Sequence, residues 1–290
     1  MMINNIQEKV SSLNYELDYR VKLRQHVKKL PPLEERDRRI LKSLNNEGIY
    51  ITTLTELGFT STSQMLDAAR SLLPSMGTAN YNDSVENPPE ICIVTDLPEF
   101  YNWGKEQRLL NIIENYIGLP VAYHGVHLRK DFANKNQFAT LLWHRDIEDR
   151  RVLKIMIYLN DVEEKHGPFE YVPSHLTSKY QLNYYRIKYK IKNSGGINDE
   201  TLNQIIPKSA WKPCPGKAGT VIIADTRRLL HHGTLRTQER SVLFFAYTAN
   251  PPKQPQLCTH FWDNSYPRPE FYLKYDEVKL GTLPTLGTSK

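Results

Sequence analysis

Apolar residues at Ile3, Ile6, Val10, Leu13, Leu17 and Val21 recur at three- and four-residue steps among charged neighbours. That spacing predicts an amphipathic helix from Met1 to about Leu30. Its stripe is expected to pack on the body of the protein; a homodimer seam along this N-terminal helix is the alternative, because heptad-like stripes also join chains. Pro31-Pro32 ends the helix, since proline cannot donate to the ladder. A second helix over Leu33 to Leu44 runs to Gly48 and a short strand at Ile49–Thr52. A third covers Ser63 to Leu73 before Pro74, and a fourth Lys105 to Tyr116 before Gly118 and Pro120. The Asn-, Ser-, Gly- and Pro-rich stretch from Gly77 to Pro89 reads as a loop.

From Val121 the period becomes two. Strands are predicted at Val121–Leu128, Phe138–His144, Leu153–Leu159, Phe169–Val172, Gly219–Ile223 and Val242–Thr248. Helices followed by a run of strands imply a barrel or sandwich decorated by helices, mainly β with flanking α-helices. The chain is read as one structural domain. Residues 1–120 form an N-terminal helical region leading into the barrel, and residues 121–290 its core, with a lid-like insertion at about 176–212. The insertion carries a basic, aromatic run from Lys179 to Lys192, followed by Gly195-Gly196. Its tyrosines either pack inward on a solvated helix or face a substrate.

Composition narrows the class. With 40% hydrophobic and 24% charged residues over 290 positions, the chain can bury a sizeable core. No apolar run is long enough to span a membrane. Mixed charges from Glu8 onward argue against a secretory signal. The three cysteines, Cys92, Cys214 and Cys258, are odd in number and widely spaced, which reads as reduced thiols in a cytoplasmic protein. A net charge of +6 favours anionic partners. No recognition helix, zinc finger or RNA-binding motif accompanies it, so no nucleic-acid partner is expected. A non-catalytic ligand- or nucleic-acid-binding barrel with a basic surface is the competing function.

Candidate chemistry centres on Trp143-His144-Arg145-Asp146. On a strand, residues two apart share a side, so His144 and Asp146 can reach one point inside a barrel. A histidine from a distant strand would complete a 2-His-1-carboxylate set, which holds Fe(II) and leaves positions open. His231-His232-Gly233, after the strand at Gly219–Ile223, offers that histidine. The two neighbours face opposite ways on a strand, so one of them is the ligand. Arg240 leads an apolar strand and needs an anionic partner or an outward rotamer. Lys154, inside another apolar strand, wants an anion such as Glu148 or a bound carboxylate, or else reaches out to solvent. His127 and Arg129 share a face and could line a pocket; Gln137 and Thr140 approach the metal strand.

The ordered set of His144-x-Asp146, Tyr158-Leu159-Asn160-Asp161-Val162, Gly167-Pro168-Phe169, Val172-Pro173-Ser174-His175, His231-His232-Gly233 and Arg240 resembles the phytanoyl-CoA dioxygenase family of Fe(II)/2-oxoglutarate-dependent oxygenases. The likeness covers roughly Val121 to Tyr247, plus the helix-to-strand entry around Gly48–Thr52. It implies a double-stranded β-helix, the jelly-roll or cupin-like barrel, with Fe(II) at its mouth and 2-oxoglutarate and O2 as co-substrates. His144 and Asp146 match the near ligands and Arg240 the clamp on 2-oxoglutarate. His231 is favoured over His232 as distal ligand, because related sequences place a basic residue between that histidine and glycine. Lys154, Thr234, Gln137 and Ser241 are further candidates around the co-substrate. The family often has a glycine between the proline and serine of Pro173-Ser174-His175, which this chain lacks. The implied reaction is hydroxylation of an unactivated C–H bond of a small-molecule substrate, with release of succinate and CO2. Candidate substrates are a sugar or glycolipid, an amino acid or a natural product, and the charge leaves room for an anionic one. Related halogenases lack the carboxylate that Asp146 supplies, so chlorination is not expected.

Overall fold

The computed structural model describes residues 15–77, 87–191 and 195–258. Residues 15–26 form α1. After it come α2 (Glu35–Glu47), β1 (Ile49–Thr53), α3 (Leu54–Leu57), α4 (Thr62–Leu72), β2 (Glu90–Ile93), α5 (Pro98–Gly104) and α6 (Gln107–Ile117). Gly48 and Gly118 stop α2 and α6 at φ of 79° and 80°, left-handed values that cost glycine little.

The β-rich part follows as β3 (Val121–Asp131), β4 (Leu153–Tyr158), β5 (Phe169–Val172), α7 (Ser174–Lys179), α8 (Gln181–Lys190), α9 (Asp199–Asn203), β6 (Lys212–Cys214), β7 (Thr220–Asp225), β8 (Leu230–Gly233) and β9 (Arg240–Ala249). They build a six-stranded sheet, ordered β1-β7-β4-β9-β3-β2, and a three-stranded sheet, β6-β5-β8. Neighbours in both are antiparallel.

Alternation sorts each strand of the large sheet into two faces. Ile155, Ile157, Leu243 and Phe245 pack outward against Trp103, Ile112, Ile113 and Tyr116 of α5 and α6. Met156, Tyr158, Ile222 and Val242 pack inward with Phe169 and Cys214 of the small sheet. Two antiparallel sheets facing each other over a shared core, with helices behind the larger, make a double-stranded β-helix. No described helix is long and apolar enough to cross a membrane.

Two sequence expectations need correction, on the Phe138–His144 segment and on α1. Phe138–His144 is no strand: Ala139–Leu141 is a 3-10 turn, Ala139 has φ 46°, and the segment pairs only through single bridges at Trp143 and His144. The fourth expected helix, Lys105 to Tyr116, is α6; the additional α5 ahead of it ends at Gly104, which lies against the Tyr123 ring with no room for a Cβ. The region before residue 120 supplies β1, the strand expected at Ile49–Thr52, and the additional β2, which together form the edges of the large sheet. On α1 the stripe is displaced: Leu17 and Val21 are 51% and 49% exposed, whereas Tyr19 and Leu23 pack on the core. The earlier stripe residues, Ile3 to Leu13, lie outside the described residues.

Candidate metal centre

His144 and His231 face each other across an antiparallel bridge, each N–H donating to the other's carbonyl at 2.9 and 3.0 Å. Residues directly opposite in such a pair project to the same side. Asp146, two residues beyond His144, returns to that side. One ligand atom from each of His144, Asp146 and His231 lies within 4.8 Å of the others. The same alternation sends Trp143 and His232 to the opposite face, where their rings stack with centroids 3.8 Å apart. His232 therefore stands behind the centre, its Nε2 at 2.9 Å from Glu170 Oε2 and its Nδ1 at 2.9 Å from Leu141 O.

Both histidines of this candidate site are held in one tautomer. Nδ1 of His144 lies 2.7 Å from Leu142 O, and Nδ1 of His231 lies 3.1 Å from Leu229 O. A carbonyl can only accept, so each Nδ1 carries the hydrogen and each Nε2 keeps its lone pair for a metal. Burial holds His144 below the ordinary imidazole range; burial and then the nearby His144 push His231 down to about 3. Both are neutral donors at neutral pH. Burial alone would raise Asp146, but Lys154 first, then His231 and His144, hold its carboxyl below the usual range. Two neutral imidazoles and one carboxylate suit a borderline divalent cation such as Fe(II).

The surroundings fix the carboxylate. Lys154 Nζ sits 2.6 Å from Asp146 Oδ2, while Oδ1 is the oxygen turned toward His144 Nε2, 3.9 Å away. Asp146 N–H donates to Thr226 O and its carbonyl accepts from Arg227 Nη1, tying the ligand loop to the turn before β8. That turn is itself organised by buried Asp225, which accepts from Tyr116 Oη at 2.6 Å and from the N–H groups of Arg227 and Arg228.

Arg240 is buried, so its outward rotamer is excluded, and the anion it meets is Asp131. Asp131 Oδ2 accepts from Nε and Nη2 of Arg240 at 3.1 and 2.7 Å. Its Oδ1 takes Arg129 Nε at 2.7 Å and lies 2.8 Å from Arg236 Nη1. Against the cost of burial, Arg129, Arg236 and Arg240 hold the Asp131 carboxyl well below the usual range. One carboxylate among three buried guanidinium groups leaves a surplus of positive charge. Arg240 spends its Nε/Nη2 edge on Asp131 and one Nη1 hydrogen on Gly167 O, which leaves other Nη hydrogens of the fork. Arg129 Nη2 reaches Thr140 Oγ1 at 3.0 Å, and its guanidinium lies over the Phe244 ring.

The remaining candidates are dispersed. Gln137 is turned away from the centre, its amide bonded to Leu141 O, Asp199 and His232. Thr234 Oγ1 donates to Pro168 O, and Ser241 lies on the face of β9 opposite Arg240. His127 stacks on Phe244 inside the barrel, His175 is exposed, and His166 caps a 3-10 turn with Glu163. Sequence reading missed Asp131, Arg236, Glu170 and Asp199. Asp131 had a signal, since Arg129-Lys130-Asp131 places two opposite charges on one strand face; the others became visible only in the fold.

A two-sheet barrel carrying a His-Asp-His cluster that could hold a metal defines the class: a double-stranded β-helix protein with a candidate metal centre. The sequence profile of the family "Phytanoyl-CoA dioxygenase (PhyH)" matches residues 66–240, more than half of the 290-residue chain. The protein belongs to that family, and with it to the Fe(II)/2-oxoglutarate-dependent oxygenases. Similar solved structures include EctD from S. alaskensis with 2-oxoglutarate and 5-hydroxyectoine, at 21% identity, 81% of this chain, 82% of that chain and TM-score 0.53. HygX from Streptomyces hygroscopicus with nickel and 2-oxoglutarate bound is 15% identical over 75% of this chain and 88% of that one, TM-score 0.52. The non-haem, α-ketoglutarate-dependent epimerase SnoN from nogalamycin biosynthesis is 15% identical over 80% and 92%, TM-score 0.51. At these identities the likeness is one of fold. No curated protein matches the chain.

Proposed function

We propose that this protein is an Fe(II)/2-oxoglutarate-dependent dioxygenase that hydroxylates an unactivated C–H bond of a small molecule. A sugar or glycolipid, an amino acid and a natural-product scaffold are the substrate classes to test. The observation that carries the reading is the convergence of His144, Asp146 and His231, with both histidine Nδ1 atoms bonded to backbone carbonyls.

His144 and His231 offer Nε2, and Asp146 offers Oδ1 while Lys154 neutralises Oδ2. The Arg240 fork, with Arg129 beside it on the inward face, supplies the positive end of the pocket for the distal carboxylate of 2-oxoglutarate. Asp131 orients that fork and offsets part of its charge. When bound, iron supplies the oxidative decarboxylation of 2-oxoglutarate to succinate and CO2 that drives C–H oxidation. The protein's share is to hold the donors, keep the carboxylate ionised and set the fork at a fixed distance from them.

The test is anaerobic titration of apo-protein with Fe(II) and 2-oxoglutarate, read by the visible charge-transfer band of the ternary complex. The band is expected in wild type and lost in His144→Ala and His231→Ala. A folded wild type that shows neither band nor iron binding would sink the proposal. Succinate release across the three substrate classes then distinguishes among them.

A further inference from the structure

The segment that carries His144 and Asp146 lacks what normally fixes a strand. Among the described residues it makes two bridge pairs, Trp143 with Ile197 and His144 with His231, and no ladder. Register is set by runs of pairs, so a segment with two pairs needs other restraints to aim its side chains. Those restraints come from the 195–203 stretch of the insertion. Trp143 and Ile197 exchange backbone hydrogen bonds at 2.8 and 3.1 Å. Gly196 lies so close to the Trp143 carbonyl that a Cβ there would collide with it.

Asp199, the first residue of α9, closes the arrangement. Its Oδ1 accepts from Trp143 Nε1 at 2.7 Å and from Gln137 Nε2 at 2.8 Å, and its own N–H donates to Gln137 Oε1 at 2.8 Å. The indole it grips is stacked on His232. Trp143 and His232 immediately precede and follow the two ligand histidines, so holding this stack fixes His144 and His231 together.

We infer that Asp199 is a positioning residue of the metal centre, and that the 195–203 part of the insertion buttresses the iron ligands. The inference rests on the proposed metal site. A supporting residue of this kind acts on metal affinity, typically by about 10- to 100-fold when lost.

Asp199→Ala removes the acceptor; Asp199→Asn keeps an Oδ1 acceptor for both donors. Anaerobic Co(II) titration of each apo-protein, followed by its visible ligand-field bands, reads the site without turnover. Asp199→Ala is expected to bind Co(II) roughly 10- to 100-fold more weakly than wild type, with an unchanged far-UV spectrum, and Asp199→Asn to match wild type. Should Asp199→Ala fail to fold, Trp143→Phe, which deletes only the Nε1 donor and part of the ring, is expected to weaken binding in the same direction. Wild-type affinity in Asp199→Ala, or failure of Asp199→Asn to restore it, overturns the inference while leaving the metal site standing. No Co(II) or Fe(II) binding by wild type would instead remove the metal site, and the inference with it.

Discussion

At the scale of single residues, Asp131 is the most exacting position. Three buried arginines share its carboxylate, so removing its charge leaves guanidinium groups buried without their partner. Breaking a buried pair in this way costs about 3–5 kcal/mol. Asp131→Asn is expected to lower stability by that order in a urea melt and to weaken 2-oxoglutarate binding; a loss under about 1 kcal/mol would contradict it. Its depressed folded pKa gives stability that is fully present above the unfolded value near 3.8 and is lost as pH falls through the folded value. Histidine acts at a higher pH. Burial pushes both His124 and His231 to about 3, so below about 6.5 the unfolded chain takes protons that the folded apo-protein refuses. The melting temperature of apo-protein should therefore fall steadily from pH 6.5 toward 4. A flat profile from pH 7 to 5 would rule out these buried neutral histidines. His231 and His232, adjacent in sequence, should differ in a metal titration: His231→Ala abolishes binding, whereas His232→Ala only weakens it, by loss of packing on Trp143, and leaves Glu170 without its histidine partner.

At the scale of elements, the chain announces its regular parts and hides its irregular ones. Gly48 and Gly118 mark helix ends because their left-handed φ demands glycine, and β4, β5 and β7 follow directly from apolar runs. Short β6 and β8 and the edge strand β2 carry too few residues for a periodic signal. The candidate His-Asp-His cluster was foreshadowed by His144-x-Asp146 and the late histidine pair, but the structure placing it was not. The segment with His144 and Asp146 is a turn and two bridges, and alternation across those bridges puts His231, not His232, on their side. Asp199 could not be read beforehand, because its partners lie far away in sequence. On α1 the apolar spacing pointed at Leu17 and Val21, yet Tyr19 and Leu23 face the core, and Arg150 lies over the Tyr15 and Tyr19 rings while bonding Glu16. Leu23→Ala should accordingly cost about 1 kcal/mol and Leu17→Ala less than about 0.5. Equal losses in thermal melts would show that α1 is docked differently.

At the scale of the whole molecule, the large sheet is assembled from the far ends of the described chain. β1 pairs with β7, β3 with β9, and β2 closes the opposite edge on β3. Deleting residues before 95 would therefore strip both edge strands and expose unpaired backbone, so such a truncation is expected to aggregate instead of yielding an independent barrel. The same connectivity bears on synthesis. At about 5–20 residues per second, roughly 200 residues separate emergence of β1 from completion of β9, a wait of about 10–40 s. Until β9 leaves the ribosome, both the helix-facing and the inward apolar faces of β3 and β4 lack their shared neighbour. Nascent chains arrested before residue 240 should stay sensitive to protease and bound by holdase chaperones. Release of the full β9 should bring protection in one step, because a sheet with its central strand missing has no smaller stable form to settle into.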